Sequence, residues 1–277
     1  MTRLAYLGPA GTFTEEAALR YQPGAQLIPF ASEAAVASAV ESGMADEGVL
    51  PIENSLEGAV TRTLDVLVHD SKLSIRGEII LAVELCLIAK PGTTSEEITA
   101  IHSKPEALNQ CRKFIERCFP KARQEAALST TAAVETALSE EGSAAIAAAR
   151  AAELYGAEIL ARGVQDAAHN KTRFVVLGAT DAAPTGRDKT SVAFTVPHDQ
   201  PGTLVEVLHE FADRSINLTK IESRPSREEL GIYVFLVDLD GHRLDSPVAE
   251  ALAAVEAKAF FFRLLGSYPR YDDARDP

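Results

Sequence analysis

Basic runs are what this chain most plainly lacks: 27 Lys and Arg stand against 40 Asp and Glu, for a formal net charge of −13. Without a Lys/Arg cluster to displace the counterions of phosphates, neither a nucleic acid nor an anionic membrane is expected as a partner. An anionic substrate then requires a locally positive pocket. Membrane-length apolar stretches are absent as well. The opening MTRLAYLGPAG breaks at Gly8-Pro9 before a signal core develops, so a cytoplasmic location is expected. Cysteine is scarce. Cys86, Cys111 and Cys118 are odd in number and lack paired C-x-x-C spacing, which reads as buried thiols and not as a metal or redox site. Gly8 to Gly11 carries neither the Walker lysine nor the dinucleotide spacing, and no metal-ligand cluster occurs, so no cofactor and no metal are expected.

With 46% hydrophobic and 24% charged residues over 277 positions, the chain can bury two cores. Short apolar runs alternate with helical patterns to about Ala179, the signature of an α/β layer fold with a largely parallel sheet. Strands are expected at Leu4–Leu7, Gln26–Phe30, Gly48–Ile52, Ile79–Ala89, Ala144–Ala148 and Arg173–Leu177. Helices are expected at Glu15–Arg20, Glu33–Ser42, Arg62–Val68, Glu106–Cys118 and Thr131–Leu138. The run Ile79–Ala89 is long enough to carry the chain from one lobe into another, which suggests a two-lobed domain with a cleft. Ala179–Lys189 (ATDAAPTGRDK) is small, polar and broken by Pro and Gly, as a linker crossed by few contacts should be. The expected division is a first domain at 1–180, a linker at 181–189 and a second domain at 190–277.

That second part reads as strand Ser191–Val196, helix Thr203–Asp213, strands Asn217–Ser223 and Ile232–Leu239, helix Val248–Ala257 and strand Phe260–Leu265. This is a ferredoxin-like βαββαβ order. Leu204, Val207, Leu208, Phe211 and Ala212 share one stripe of its first helix, and the apolar run Ile232–Val237 suggests a strand covered on both faces.

In the first domain several strands run into a Ser or Thr. Thr12 precedes Glu15, and Ser103 precedes Glu106, with the spacing of a capping box; Ser55 and Thr130 stand at similar strand-to-helix corners. In open α/β sheets such corners gather where ligands bind, and helix N-termini there offer unpaired N–H groups and a positive dipole end to carboxylates. Taken singly, each is an ordinary cap.

Four local sequences add what the corners lack: GPAGTFT at Gly8–Thr14, PIENSLEG at Pro51–Gly58, HSKPEALNQC at His102–Cys111 and NKTRF at Asn170–Phe174. In kind and order they resemble the motifs of the prephenate dehydratase family, over nearly the whole chain. The resemblance implies a two-lobed, periplasmic-binding-protein-like catalytic domain. It also implies decarboxylating dehydration of prephenate to phenylpyruvate in L-phenylalanine biosynthesis, which needs no cofactor. The family's catalytic positions correspond to Thr172, Arg173, Asn54, Ser103, Gln110 and Glu53. Thr172 is expected to meet the leaving hydroxyl, and Asn54, Ser103 and Gln110 to orient the substrate. Glu53 beside a dianion requires a proton or a cation. Arg173 suits bidentate capture of a carboxylate, yet in a regular strand it alternates away from Thr172, unless a turn at Lys171 or Thr172 restores the geometry. Thr12, Ser55, Thr130 and, by packing, Phe174 complete the substrate pocket. Glu106 stands where the family often has Gln, and Ser129–Val134 is a looser match; both departures bear on affinity more than on reaction type. No helical segment precedes Leu4, so no fused chorismate mutase is expected.

Pro201-Gly202-Thr203-Leu204-Val205 and Glu222-Ser223-Arg224-Pro225 resemble the two motifs of the ACT regulatory domain, with Thr203 where Ala is usual. The resemblance implies feedback by phenylalanine bound between neighbouring subunits of a homodimer or homotetramer, with Asn217 and Leu218 finishing the pocket. The plainer alternative is that Gly202 permits a turn and Arg224 pairs with Glu222. Two rival functions remain: an arogenate dehydratase, and a non-catalytic amino-acid sensor.

Overall fold

The apolar opening forms strand β1 (Arg3–Leu7), paired in parallel with β2 (Gln26–Phe30), in the computed structural model, which describes residues 1–197, 201–227 and 231–272. Thr12 caps the helix between them, α1 (Phe13–Tyr21), by accepting from the Glu15 N–H, while the Glu15 carboxylate accepts from the Gly11 N–H at 2.7 Å. The carboxylate thus reaches one residue further back than the usual reciprocal box. Next come α2 (Glu33–Glu41), β3 (Glu47–Asn54), the short β4 (Gly58–Ala59) folded back on β3, and α3 (Thr61–Asp65), which continues as a π turn at Val66–Asp70.

The long apolar run is two strands. β5 (Ser74–Ala82) and β6 (Leu85–Ala89) lie in different sheets, so the chain does change sheet there. After them come β7 (Ala100–Ser103), α4 (Pro105–Gln110), α5 (Arg112–Cys118), β8 (Arg123–Ala126), α6 (Thr130–Ser139), β9 (Ser143–Ala148), α7 (Ala149–Tyr155), β10 (Glu158–Ala161) and β11 (Lys171–Gly178). The single helix expected over Glu106–Cys118 is broken at Cys111, whose φ of −113° and ψ of 14° leave the helical region. One sheet runs β2-β1-β3-β11-β5 with β4 on β3; the other runs β10-β6-β9-β7-β8. The second is mixed rather than largely parallel, since β6 is antiparallel to both its neighbours.

The final part is β12 (Asp188–Thr195), α8 (Thr203–Ala212), β13 (Leu218–Pro225), β14 (Tyr233–Asp240), α9 (Ser246–Lys258) and β15 (Phe261–Pro269), in an antiparallel sheet ordered β13-β14-β12-β15. That is the expected ferredoxin-like arrangement. Gly202 opens α8 at φ +93°, a backbone conformation that a side chain disfavours. The helix stripe is narrower than expected: Val207 and Phe211 are buried, but Ala212 is exposed. The stretch expected as a loosely held linker is tied down instead. The Ala182 N–H donates to the Ser267 carbonyl, Arg243 pairs with Asp181, and Thr185 donates to Asp188 from both its N–H and its hydroxyl.

Two compact units result, Met1–Val36 with Val49–Val60 and Ile79–Phe174, and Ala37–Gly48 with Thr61–Glu78 and Val175–Pro277. In the first, alternation puts Leu85, Leu87 and Ile146 in one core and Cys86, Ile88 and Ala147 in another, so β6 and β9 are buried on both faces. In the second, Val192, Phe194, Val237 and Leu239 pack under Val207, Phe211, Val248 and Val255. Among the described residues no helix is long and apolar enough to cross a membrane.

Candidate active site

Strand alternation decides which motif residues meet. In β11, Thr172 and Phe174 face one way and Arg173 the other. Thr172 and Phe174 line a cavity of about 340 Å³ within the first unit, whose wall also holds Thr12, Asn54, Gln110 and Thr130. The N-terminal turns of α1 and α6 open on it too, and Ser129 caps α6 by accepting from the Ala132 N–H at 2.9 Å. Those turns supply backbone donors to an anion.

Four expected site residues are not on that wall. Arg173 is buried and pairs with Glu53 at 3.7 Å, so the two neutralise each other beside the site. No turn at Lys171 or Thr172 redirects the guanidinium, because β11 is already regular there. Ser55 stitches strand ends: its N–H donates to the Lys171 carbonyl at 2.9 Å, and its hydroxyl accepts from the Lys171 N–H at 2.9 Å and donates to the His169 carbonyl at 3.3 Å. Ser103 is fully buried and donates to the Ile146 carbonyl at 2.5 Å. The Ser103–Glu106 capping box does not form; Lys104 is the residue at the N-terminus of α4.

The polar wall is a chain of amides. Asn54 Oδ1 accepts from the backbone N–H groups of Leu56 and Glu57 at 2.9 and 3.1 Å, which fixes Nδ2 as the end that donates. Nδ2 donates to Thr172 Oγ1 at 2.9 Å and to Asn170 Oδ1 at 2.8 Å. Asn170 Nδ2 donates to Gln110 Oε1 at 2.9 Å, and Gln110 Nε2 donates to Glu57 Oε1 at 2.6 Å. Because Thr172 accepts from Asn54, its own O–H is left to donate into the cavity. Of the described residues on the wall, Lys104 is the one cation, facing a space shared with Glu57 and Glu106.

Asn170, Glu57 and Lys104 are functional candidates that the motif analysis left unassigned. The signal was present, since all three stand inside the quoted motifs, but their partners are far away in sequence. The thiols stay out of the chemistry. Burial, then Asp166, pushes the Cys111 thiol up to about 12, and burial raises Cys86, so both hold their protons. Cys118 is exposed, contrary to the expectation that all three are buried.

A second groove, about 270 Å³, lies at the start of α8 and is lined by Gly202, Thr203, Leu204 and Val205 with Tyr233 and Phe235. Pro201, Asn217, Leu218 and the residues Glu222–Pro225 do not line it on this chain. Asn217 donates to Asp240 at 3.0 Å, and Glu222 pairs with Lys220, not with Arg224. Arg224 instead reaches Asp65 at 3.1 Å and the Thr61 carbonyl at 3.0 Å.

The sequence pattern of the prephenate dehydratase family matches residues 4–182, and that of the ACT domain matches residues 190–257. A prephenate dehydratase of Mycobacterium sp. (strain JLS) is 42% identical over 283 aligned positions, covering 97% of this chain and 89% of the relative. The crystal structure of a prephenate dehydratase from Arthrobacter aurescens in complex with L-Phe superposes with a TM-score of 0.89 at 39% identity, covering 97% of this chain and 90% of that one. A solved quorum-quenching acylase of a novel type gives 0.88 at 32% identity, with 99% of each chain covered.

Proposed function

From the premise that this chain belongs to the prephenate dehydratase family, we propose that it converts prephenate to phenylpyruvate in the cytoplasm and is inhibited by phenylalanine. One proton joins the dianion, and carbon dioxide, water and the phenylpyruvate anion leave. As the ring carboxylate departs, its electron pair moves through the ring and expels the hydroxyl from the opposite carbon. Aromatisation drives the step. Lys104 and the N-terminal turns of α1 and α6 are the groups suited to the two carboxylates, while Phe174 offers the ring an apolar wall.

The observation that carries this reading is the hydrogen bond from Asn54 to Thr172. Accepting a hydrogen bond strengthens the donor at the other side of the same hydroxyl, so Thr172 is set to give one to the departing oxygen. An alcohol alone is a weak acid. Its proton affinity is nevertheless close to that of leaving hydroxide, so the proton passes to the departing oxygen as the bond breaks, and one proton taken up from solvent restores the threonine hydroxyl. General-acid assistance is worth about 10² to 10⁴ in rate, and orientation inside the cavity supplies a comparable part.

Thr172→Ala is expected to lower kcat by roughly that factor with little change in KM, measured as phenylpyruvate formed from prephenate. A rise in KM with kcat intact would assign the hydroxyl to binding. Arogenate and an acylated quorum signal belong in the same assay as rival substrates. An acylase of this fold needs an activated nucleophile, and the amide that donates to Thr172 cannot take its proton. No product from prephenate under any condition would overturn the reading.

Phenylalanine fits the groove at Gly202–Val205, with its carboxylate on the backbone N–H groups opening α8 and its ring against Tyr233 and Phe235. We assign Asn217, Leu218 and Glu222–Pro225 to completing that site from a second subunit, in a homodimer or homotetramer. Unchanged prephenate turnover in the presence of phenylalanine would remove the regulatory half of the proposal.

A further inference from the structure

We propose that Asn170 is a positioning residue that sets the direction of the amide relay ending on Thr172, and so keeps the threonine proton turned toward the substrate. The inference rests on the prephenate reading and adds to it a residue that acts through another. Asn170 is 2% exposed, so both ends of its carboxamide must find partners inside the protein. They do so with opposite polarity: Oδ1 accepts from Asn54 at 2.8 Å, and Nδ2 donates to Gln110 at 2.9 Å. Gln110 passes the same polarity on to the Glu57 carboxylate at 2.6 Å. Every link therefore donates away from Thr172 and toward the negative charge, and the remaining N–H of Asn54 is the one that Thr172 accepts. A carboxylate as terminal acceptor polarises the whole series.

Reversing one link has a readable consequence. In Asn170→Asp the new side chain has the same shape. Ionised, it offers an acceptor to Gln110 where a donor is required; turning Gln110 round then sets its carbonyl against Glu57. Protonated, it accepts from Asn54 and donates its O–H to Gln110, which restores the relay. Burial and the nearby Glu57 carboxylate favour the protonated form as pH falls. The variant's kcat on prephenate should be about ten- to a hundredfold below that of the unmodified chain at pH 8, and the ratio of the two should climb toward one on acidification. KM should move less. Among the described residues, Glu57, Lys104 and Glu106 share the wall with Asn170, His169 and Lys171 flank it in the chain, and the Glu53–Arg173 pair and Asp166 lie beside its partners; taking the ratio at each pH divides out their own titrations. Asn170→Ala, which has no proton to regain, should stay depressed throughout.

A ratio that is flat with pH, or that falls on acidification, overturns the inference. If Asn170→Asp does not fold, Gln110→Glu poses the same question one link further along, with the same acid recovery expected and the same flat ratio decisive against it. Failure of the unmodified chain to turn over prephenate is a different result, and it would sink the reading on which the relay depends.

Discussion

Lys104 sits on a cavity wall that also carries Glu57 and Glu106, in a chain whose net charge is −13. A dianion entering such a protein needs this cation more than it needs the buried Arg173, which is already paired with Glu53. Lys104→Gln should therefore raise KM for prephenate about tenfold with a smaller effect on kcat, and the loss should shrink as salt screens the unmodified enzyme; equal kinetics would show that the helix N-termini hold the substrate alone. Ser103 is the opposite case. Its hydroxyl serves a buried carbonyl of β9, so Ser103→Ala should cost about 1 to 3 kcal/mol in urea unfolding while KM stays put. These residues mark what was legible in the chain. Thr172 and Phe174 came from the resemblance of Asn170–Phe174 to the family motif, and strand period added the warning against Arg173. A serine ending a strand before Lys-Pro-Glu, by contrast, reads as a cap until its partner is known, and that partner, Ile146, lies 43 residues away. Asn170 and Glu57 escaped for the same reason. The direction of an amide depends on pairings across more than a hundred residues, as between Asn54 and Asn170.

Elements were legible where a period ran long enough to name itself. α1, α2, α6 and the whole βαββαβ part appeared within a few residues of their places, because amphipathic stripes and apolar strands carry their own spacing. β7, β8 and β10 did not, since four-residue strands are too short to show alternation, and β8 is exposed along its length. The run Ile79–Ala89 concealed a break, which the structure marks by the Val83 N–H donating to the Asn170 carbonyl and the Leu85 N–H to Gln165 Oε1. No composition rule announces that. One joint between elements is buried and charged: Lys189 at the start of β12 meets Glu78 of β5 at 2.9 Å, with both side chains at or below 10% exposure. Such a pair need not have stabilised the fold more than an apolar contact, but removing one member strands the other. Glu78→Ala should lower unfolding free energy by about 3 to 5 kcal/mol in denaturant titration, whereas replacing Glu78 and Lys189 together with Met should recover most of it. A cost below about 1 kcal/mol for the single change would mean that water reaches Lys189.

Across the whole molecule, the ACT motif Glu222–Pro225 is tied to α3, and the chain just before α3 runs back through β4 to Asn54. Asp65 in α3 is buried and held by Arg224 and Arg227, and Arg224 also takes the Thr61 carbonyl. The residue before Thr61, Val60, donates to the Ile52 carbonyl, and Gly58–Ala59 pair with Asn54 and Glu53. An effector that shifts the end of β13, where Arg224 stands, would pull on α3, and α3 is covalently continuous with the turn that fixes the Asn54 carboxamide. A coupling of about 1 to 3 kcal/mol corresponds to roughly a 5- to 150-fold change in apparent affinity, which is enough for feedback. Asp65→Asn keeps an acceptor for one arginine and loses the charge that holds both. It should leave turnover of prephenate without phenylalanine within about twofold, and raise the phenylalanine concentration for half-inhibition several-fold. Calorimetric titration of phenylalanine separates the causes: binding that persists while inhibition weakens places Asp65 on the coupling path, and binding lost in step with inhibition places it in the effector site itself.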